Sequence, residues 1–391
     1  MDQEQFRALT EEVGAFVEGP ARKYADAIEE SGRCGMDIWA ALREKGYLRL
    51  AAPEELGGRG LTFSQYVRIL EKFAQMHGSM RMIVHVMNGI WRPIDWLATP
   101  EQRKRFVLPA VATEKLVAFT LTEPIAGSGA DVHTFARREG GDYLLTGEKW
   151  LITFADVSDY FLTTAKMEGS GHSDGSLALM VPKDAPGLRI EMMREGMGLT
   201  GTGHGHLFFD GCRVPVENRL GDEGDGLAVA LNGFLDPSRI CIGASCVGLA
   251  ERAFALGIAQ AKTRVTFGKR LAERQIVQAW IAEMATDIEA ARQLVHHAAR
   301  VFESGKRATR EASMAKLAGL EMLQRVTDKS LQIFGGSGYI RGNEIERIYR
   351  DARAQRFEEG TAEIQKMVIA RDILGVRESA QAHTARAAEA R

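Results

Sequence analysis

Hydrophobic and polar positions follow different periods in three successive parts of the chain. In residues 1–116, apolar side chains recur every three or four positions, which predicts helices. In residues 117–224, short apolar runs lie between clusters of glycine, aspartate and serine, which predicts a meandering β region. In residues 225–391 the helical period returns. We therefore predict three domains with these bounds, mainly α with a β domain in the middle (α+β).

One apolar stripe in the third region is unusually long. Eight residues recur at spacings of four and three: Val277, Ile281, Met284, Ile288, Ala291, Val295, Ala298 and Phe302. Such a stripe predicts a long antiparallel helix buried in a bundle. Residues 380–391 are alanine-rich and charged without any stripe, so we expect them to fray.

Composition narrows the classes of function. The 391 residues include 50 basic and 52 acidic side chains, a formal charge of −2, which argues against nucleic acid or an anionic membrane as the main partner. No run of about 18 uncharged apolar residues occurs. The acidic, polar start, residues 1–5, is unlike a signal or transit peptide. We expect a soluble cytoplasmic protein.

Cysteine and histidine spacing does not indicate a metal site. Four cysteines occur without a CxxC pair, and we expect them to be reduced core residues: Cys34, Cys212, Cys241 and Cys246. His204 and His206 lie in a glycine-rich loop without an adjacent carboxylate or thiol. His296 and His297 point to different faces of a predicted helix. We expect no metal ion.

Two glycine-containing segments near the C-terminus are candidates for function. Residues 332–339 follow a helical pattern, so a dinucleotide-binding loop does not fit. A helix C-cap and a close backbone approach to a large flat ligand both remain possible. Glu359 precedes a glycine turn, and Thr361 is a candidate N-cap for a helix over residues 362–374. Taken alone, Glu359 would be a solvated carboxylate.

Hydroxyl and aromatic side chains mark two segments of the β region. In residues 119–131, Thr120, Thr122 and Ser128 could donate to an acceptor-rich ring, or form an ordinary hydroxylated β-turn. Residues 147–153 form a turn into a strand, with an aromatic residue and a terminal hydroxyl.

A fifth candidate, residues 264–270, combines basic and aromatic side chains at a predicted helix end. Arg264 could hold a pyrophosphate, and Phe267 could stack on an adenine. The alternative is a solvated basic helix end.

In order and spacing, these five segments resemble the acyl-CoA dehydrogenases, flavoenzymes that oxidise acyl thioesters to α,β-unsaturated products. The resemblance covers roughly residues 5–375 and is most specific at the Leu-Thr-Glu-Pro…Gly-Ser, Arg-x-Thr-Phe-Gly and Glu-Gly-Thr segments. It implies a helical domain, a β-barrel-like middle domain and a four-helix bundle, assembled as a homotetramer (a dimer of dimers). It also implies FAD as cofactor, an acyl-CoA substrate of fatty acid metabolism, and an electron-transfer flavoprotein as partner.

The resemblance assigns roles to individual residues. Family members remove a proton from Cα and transfer a hydride from Cβ to flavin N5, and Glu359 matches their catalytic base. Its pKa would rise through exclusion of water, and its backbone N–H, with a flavin ribityl hydroxyl, would stabilise the thioester oxygen. Some members place the base at the position of Ser238, where serine cannot serve, which favours Glu359.

The remaining assignments concern ligand contacts. FAD contacts carry over to Leu121 (backbone), Thr122, Ser128, Leu151, Thr153 (near N5), Gln332, Gly335, Gly336, Thr361 and Glu363, with Arg264 and Phe267 supplied by a neighbouring subunit. Substrate contacts carry over to Ser128, Asp236, Arg239, Glu358 and Gly360.

The chain departs from the family pattern in three places. Gly129 stands where an aspartate is usual, and Asp131 is its expected replacement. The tryptophan expected at Leu151 is Trp150, and a shift of one residue on a strand would turn the indole to the other face. The residue before the base, often aromatic, is Glu358. It either turns to solvent, which we expect, or marks a polar or unusually short acyl group.

Several alternatives remain open within and outside this family. Oxygen could replace the flavoprotein as electron acceptor, as in an acyl-CoA oxidase, and a carrier-protein thioester could replace acyl-CoA. A helical scaffold without chemistry would be colourless when purified. The sequence does not specify acyl chain length or branching.

Overall fold

Helices form the first and last parts of the chain, and a curled sheet forms the middle. The computed structural model describes residues 1–126, 131–170 and 175–376. The predicted α+β fold class, with helical N- and C-terminal domains, is confirmed. The C-terminal stretch 380–391, predicted to fray, lies outside the described residues.

The N-terminal region, all of which the structure describes, contains eight α-helical segments, and the longer ones have a buried apolar stripe. They are α1 (Gln3–Glu18), α2 (Pro20–Ser31), α3 (Met36–Glu44), α4 (Phe63–Phe73), α5 (Gly78–Gly89), α6 (Trp91–Trp96), α7 (Pro100–Gln102) and α8 (Leu108–Val111). Helix α4 begins at a capping box, in which the side chains of Thr62 and Gln65 satisfy each other's backbone N–H groups. Its apolar residues at helical spacing pack into the core, and α5 next to it is buried along almost its whole length.

In the part of the middle region that the structure describes, the chain forms a seven-stranded sheet. Its strands are β1 (Val117–Thr120), β2 (Phe135–Glu139), β3 (Asp142–Ile152), β4 (Tyr160–Met167), β5 (Ser176–Pro182), β6 (Leu188–Met192) and β7 (Gly205–Pro215). The order is β1-β4-β2-β3-β7-β6, with β5 also paired to β4. Strand β1 runs parallel to β4, and the β2–β3, β3–β7 and β6–β7 pairs are antiparallel. Although β4 and β2 lie between β1 and β3 in this order, the ends of β1 and β3 meet, because the Trp150 backbone N–H donates to the Thr122 carbonyl.

The C-terminal region is a bundle whose three longest helices pack side by side. Its elements are α9 (Gly226–Ala228), α10 (Asp236–Thr263), the hairpin β8 (Val265–Thr266) and β9 (Lys269–Arg270), α11 (Gln275–Glu303), α12 (Thr309–Phe334), α13 (Glu344–Ala354) and α14 (Ala362–Leu374). Most of the predicted apolar stripe on α11 is buried, as expected. A Cβ added to Gly319 of α12 would lie 3.2 Å from the Cα of Gly243 of α10, so glycine permits this close packing.

Helix α10 is the central helix of the bundle. The stretch Gly226–Thr263 is long and apolar enough to cross a bilayer, but 72% of its most apolar window is buried inside the protein. Gly243 contacts Ala315, and Gly257 contacts Ser330, so α10 and α12 run in the same direction. The bundle therefore has two distinct ends, the Asp236 end where α10 begins and the Thr263 end where it finishes.

Candidate active site

A tight turn between α13 and α14 carries the predicted catalytic carboxylate at the Asp236 end of the bundle. Glu359 has a left-handed backbone with φ of 52°, and Gly360 follows with φ of 91°. Thr361 caps α14 by accepting a hydrogen bond from the Ile364 backbone N–H at 3.4 Å, as predicted. A left-handed residue other than glycine costs about 1–2 kcal/mol, so this turn needs support from its surroundings.

Three side chains supply that support by binding the carbonyl groups of residues 358–360. The Lys316 ammonium donates to the carbonyls of residues 358 and 360. Gln365 Nε2 donates to the carbonyls of residues 359 and 360 at 3.2 and 3.0 Å. Arg239 Nε donates to the carbonyl of residue 359 at 3.4 Å. The turn is therefore fixed by contacts from α10, α12 and α14.

The environment of Glu359 makes its carboxylate a stronger base than usual. Burial raises its pKa from the ordinary 4.5 to about 7, and the adjacent charge of Glu358 contributes in the same direction. Lys316, Ser238 and Arg239 act against this rise without cancelling it. The pKa of Lys316 is itself lowered to about 8, chiefly by burial. A carboxylate with a pKa near neutrality can accept a proton and still be ionised in a substantial fraction of molecules.

Glu358 does not turn to solvent, so that prediction is wrong. Its side chain is only 13% exposed, and both carboxylate oxygens accept hydrogen bonds from Arg81 at 3.1 Å. Burial alone would raise the pKa of Glu358, but the Arg81 guanidinium lowers it below the ordinary value. Arg81 is fully buried on α5 and needs a counter-charge, which explains the direction of Glu358.

The predicted substrate residues of α10 lie beside this turn. Arg239 forms an ion pair with Asp236 at 3.2 Å, and the other oxygen of Asp236 accepts from the Thr309 hydroxyl at 2.6 Å. Ser238 Oγ lies 3.0 Å from His85 Nε2. The structure thus brings together Asp236, Arg239 and residues 358–360.

A small cavity continues from Ser238 into the interior. It is lined by Tyr66, His85, Gly89, Arg92, Phe234, Pro237, Ser238 and Cys241. Because Ser238 also influences the pKa of Glu359, the cavity begins next to the candidate base. Its walls come from α4, α5, α6, the segment just before α10 and the start of α10, so both helical regions contribute to the site.

The predicted flavin contacts in the β region cluster where β1 and β3 end. The Thr122 carbonyl accepts from the Trp150 backbone N–H at 2.8 Å. The Leu121 carbonyl accepts from the ammonium of Lys149 at 2.9 Å, and Lys149 also binds Glu123 at 2.8 Å. Lys149 is completely buried, and burial lowers its pKa to about 8. This buried pair fixes the backbone of the segment expected to contact the flavin.

The end of β3 is irregular at the position expected to shield the flavin. Leu151 has φ of 58° and is 47% exposed, and Thr153 follows in a turn. The pairing register shifts between Lys149 and Ile152. Side chains therefore do not alternate regularly between the two faces of the sheet here. The alternation rule that predicted a change of face for Trp150 does not apply at this position.

The remaining departure, at Gly129, lies in a segment of which the structure describes only part. Ser128 and Gly129 lie outside the described residues. Asp131, the expected replacement for the usual aspartate, has its carboxylate 3.0 Å from His133 Nε2.

The remaining predicted FAD contacts lie at the Thr263 end of the bundle, at the ends of α10 and α12: Arg264, Phe267, Gln332, Gly335 and Gly336. Phe267 occupies a two-residue hairpin turn with φ of 47° and is 98% exposed. Added Cβ atoms at Gly335 and Gly336 would meet nothing within 4 Å. Helix α10, about 40 Å long, separates Arg264 from Glu359, so one chain does not bring these two groups together. Thr361 and the exposed Glu363 instead lie beside the Glu359 turn.

The prediction of free cysteines is confirmed, and the expectation that His206 has no carboxylate nearby is wrong. All four cysteines are free thiols, three of them buried and Cys34 half-buried. His206 does have a carboxylate neighbour, since its Nε2 lies 2.7 Å from Glu148. Strands β3 and β7 bring this pair together.

Sequence reasoning missed several residues that build the site: Arg81, His85, Arg92, Lys149, Lys316 and Gln365. For some of them the sequence does contain a recognisable pattern, a charged residue within an otherwise apolar helical stripe. Lys316 lies at helical spacing with Ala312, Gly319 and Leu323, all on the buried side of α12. Such a position predicts a buried charge with a specific partner, although it does not identify the partner.

Comparisons with known proteins agree with this arrangement. Models of the acyl-CoA dehydrogenase N-terminal, middle and C-terminal domains match residues 3–115, 118–212 and 224–374. The caffeyl-CoA reductase-Etf complex subunit CarC of Acetobacterium woodii is 36% identical over 346 residues, 88% of this chain and 91% of that protein. The human mitochondrial short-chain specific acyl-CoA dehydrogenase is 35% identical over 84% of this chain and 80% of its own length.

A solved structure extends the similarity to three dimensions. The butyryl-CoA dehydrogenase of Megasphaera elsdenii aligns with a TM-score of 0.89 at 31% identity, covering 96% of this chain and all of the other. Matches to all three domain models, in order, account for nearly the whole described chain. The chain therefore belongs to the acyl-CoA dehydrogenase family of oxidoreductases.

Proposed function

We propose that this chain is an FAD-dependent acyl-CoA dehydrogenase in which Glu359 removes the Cα proton of the substrate. The observation that carries this proposal is a half-buried carboxylate with a pKa of about 7, fixed on a turn beside Ser238, which lines an interior cavity. A base of this strength beside a cavity suits proton abstraction from the carbon next to a thioester.

The residues of the turn have separate tasks in the reaction. Glu359 accepts the proton, and burial favours the neutral acid that results. The Glu359 backbone N–H bonds no acceptor among the described residues, so it can donate to the thioester oxygen and stabilise the charge that develops there. Lys316 holds the two flanking carbonyls, which keeps both the carboxylate and this N–H in position. The flavin, when bound, supplies the acceptor for the hydride that leaves Cβ.

The residues present are compatible with FAD. Leu151 exposes nearly half of its side chain at the end of β3, where a ring system could cover it. Gly335 and Gly336 leave open space at the end of α12, which permits close approach of a large ligand. The isoalloxazine would be held by Leu121, Thr122, Leu151 and Thr153.

We also propose that the complete cofactor site requires a second copy of the chain. Arg264 and Phe267 lie at the opposite end of α10 from Glu359, so they would serve the cofactor of a neighbouring subunit. Exposed apolar side chains surround that end of the bundle: Val265, Phe267, Tyr339 and Ile340. Surface of this kind is typical of subunit contacts. A homotetramer built as a dimer of dimers accounts for both features.

An electron-transfer flavoprotein is the proposed electron acceptor. The name of the Acetobacterium woodii relative places that protein in a complex with Etf, which supports the assignment. Oxygen as the acceptor, the oxidase alternative, would give equal turnover with and without the flavoprotein under air. Turnover under nitrogen that depends on added flavoprotein would support the dehydrogenase.

The test is anaerobic bleaching of the flavin spectrum by a panel of acyl-CoAs. We expect the wild-type protein to bleach and Glu359→Gln to keep its colour while losing roughly 10²–10⁴-fold in bleaching rate. Glu283→Gln, which removes an exposed carboxylate on α11, is the matched control and should bleach normally. Normal bleaching by Glu359→Gln would show that another group is the base.

A further inference from the structure

A chain of two hydrogen bonds leads from the candidate base to a buried histidine of the N-terminal region. The Ser238 hydroxyl, in the first turn of α10, forms a hydrogen bond with the Glu359 carboxylate. The oxygen of the same hydroxyl lies 3.0 Å from Nε2 of His85 on α5. The side chains of Ser238 and His85 are both buried, so bulk water does not compete for their contact. Helices from two different regions thus contribute to one hydrogen-bonded chain.

The number of available protons fixes the direction of each hydrogen bond in this chain. An ionised carboxylate can only accept, so the single hydroxyl proton of Ser238 is donated to Glu359. The hydroxyl oxygen must then accept from His85, which places a proton on Nε2. Burial lowers the pKa of His85 to about 3, so the ring is neutral and its Nδ1 has no proton. Nδ1 has no hydrogen-bond partner among the described residues, and a buried acceptor without a partner is less unusual than a buried N–H without one.

We propose that His85 is a positioning residue for the base: its Nε2–H holds the Ser238 hydroxyl so that the hydroxyl proton points at the Glu359 carboxylate. The inference rests on the proposed function and adds to it two residues from outside the Glu359 turn. Without the histidine, a serine in a helix can turn its hydroxyl towards a backbone carbonyl three or four residues earlier. The carboxylate would then lose its donor.

The hydrogen bond from Ser238 opposes the effect of burial on the base. A donor to the ionised carboxylate lowers the pKa of Glu359, whereas burial raises it, and the value of about 7 reflects both. One hydroxyl proton occupies one carboxylate oxygen, so the other oxygen stays available for the substrate proton. The chain from His85 therefore affects both how much of the base is ionised and how it is oriented.

Other ionisable groups around the two residues are left unchanged by the test. Tyr66 and Cys241 stay uncharged, because burial raises the pKa of both well above neutral pH. The charged groups that face Glu359 or His85 come from four helices and the turn: Arg81 of α5, Arg92 of α6, Arg239 of α10, Lys316 of α12 and Glu358. Because none of these is substituted, their influence on Glu359 enters every variant alike.

The test measures the pH midpoint of anaerobic flavin bleaching in the FAD-loaded protein. The probe is butyryl-, hexanoyl- or octanoyl-CoA, whichever bleaches the wild type fastest. Ser238→Ala should raise the midpoint by roughly 1 pH unit, because the ionised carboxylate loses a donor. Ser245→Ala is the matched control, since it removes another buried hydroxyl of α10 that has no partner among the described residues. It should leave the midpoint unchanged.

Two substitutions at His85 separate the Nε2 donor from the bulk of the ring. The amide of His85→Gln reaches the position of Nε2 and should preserve the midpoint. The amide of His85→Asn is one methylene shorter and does not reach it, so the midpoint should rise by roughly 0.5 pH units. Because His85 acts through Ser238, His85→Asn should add no further shift in the Ser238→Ala background.

Several outcomes would overturn the inference. These are an unchanged midpoint in Ser238→Ala, equal midpoints in His85→Gln and His85→Asn, and additive shifts in the double variant. Ser238→Ala removes a single oxygen atom and keeps the inference falsifiable if His85→Asn does not fold. Failure of all three acyl-CoAs to bleach the wild type would instead count against the proposed function.

Discussion

Two turns in this molecule share one unusual backbone and differ in what supports it. Glu359 and Phe267 both have left-handed φ angles, of 52° and 47°, and each is followed by a glycine in the same region, Gly360 or Gly268. Around Glu359, side chains from three helices bind the carbonyls of the turn. Phe267 is 98% exposed at the tip of a two-residue hairpin.

This difference in support distinguishes two parts of the site. One chain completes the part around Glu359, but it does not complete the part around Phe267. A left-handed residue other than glycine costs about 1–2 kcal/mol, and at Glu359 the same chain supplies the compensating contacts. At Phe267 a contact that covers the ring must come from outside the chain. Changes near Glu359 should therefore alter stability and chemistry together, whereas changes at Phe267 should alter only association and cofactor retention.

Among the residues that support the Glu359 turn, the largest effect is expected for Lys316→Met. Loss of the ammonium leaves the carbonyl of residue 358 without a donor and the carbonyl of residue 360 with Gln365 alone, which should lower the free energy of unfolding by about 1–3 kcal/mol. It also removes a charge that holds down the pKa of Glu359, so activity at neutral pH should fall roughly tenfold and the pH midpoint of activity should rise.

Denaturant unfolding and the pH profile of flavin bleaching measure these two effects. Lys329→Met, which removes a lysine paired with Glu283 near the surface, is the control and should change neither quantity. An unchanged pH midpoint in Lys316→Met would contradict the proposed coupling between Lys316 and Glu359.

A second prediction concerns stability against pH. The folded-state pKa of Glu359, about 7, lies above the ordinary 4.5, so the folded protein binds this proton more tightly than the unfolded chain. The favourable contribution is complete below pH 4.5 and is lost as pH rises to 7. Glu359→Gln should therefore be more stable than wild type at pH 8, by roughly 1–3 kcal/mol, and similar at pH 4.

The opposite effect on stability at pH 8 is expected for the neighbouring carboxylate, Glu358. The pKa of Glu358 is lowered by Arg81, so Glu358→Gln should destabilise the protein at pH 8 by leaving that guanidinium unpaired. Thermal unfolding of Glu359→Gln and Glu358→Gln at pH 4 and pH 8 measures whether the first is stabilised and the second destabilised at pH 8. A loss of stability at pH 8 in Glu359→Gln would show that burial does not dominate its pKa.

The smallest effect on stability is expected at the hairpin. Phe267→Ala should change the free energy of unfolding by no more than about 0.5 kcal/mol, because the ring contacts little within its own chain. The loss of an aromatic stacking contact, about 0.5–1.5 kcal/mol, should weaken FAD retention by roughly 2- to 10-fold. The flavin-to-protein absorbance ratio during dilution measures retention, with Leu294→Ala, which removes an exposed apolar side chain of α11, as control. Destabilisation above 1 kcal/mol would mean that the ring packs within its own subunit.

Features encoded by neighbouring residues could be predicted from the sequence. The helix after Thr361 begins and ends as its capping residue and apolar spacing indicate, because a cap joins residues only three positions apart. The direction of Glu358 could not be predicted in this way. Its partner Arg81 lies 277 positions earlier, and only the packing of α5 against the Glu359 turn brings the charges together.

The same limit applies to the interior cavity. His85 and Ser238 lie 153 positions apart, in separate helical regions, and no local pattern connects them. A sequence resemblance identifies the base because the residues around it recur in order. The residues that line the cavity come from separate parts of the chain without such a motif, so its chemistry depends on the three-dimensional contacts.

The buried carboxylate of Glu123 connects two segments of the β region, the one that follows β1 and the one that precedes β2. Beyond its pair with Lys149, it accepts hydrogen bonds from the backbone N–H groups of His133 and Thr134, at 2.7 and 3.0 Å. Glu123 thereby ties the segment that follows β1 to the residues that precede β2. Insertions, deletions or grafted sequences between Glu123 and His133 should leave the sheet intact, so the lineage could remodel this edge without rebuilding the scaffold.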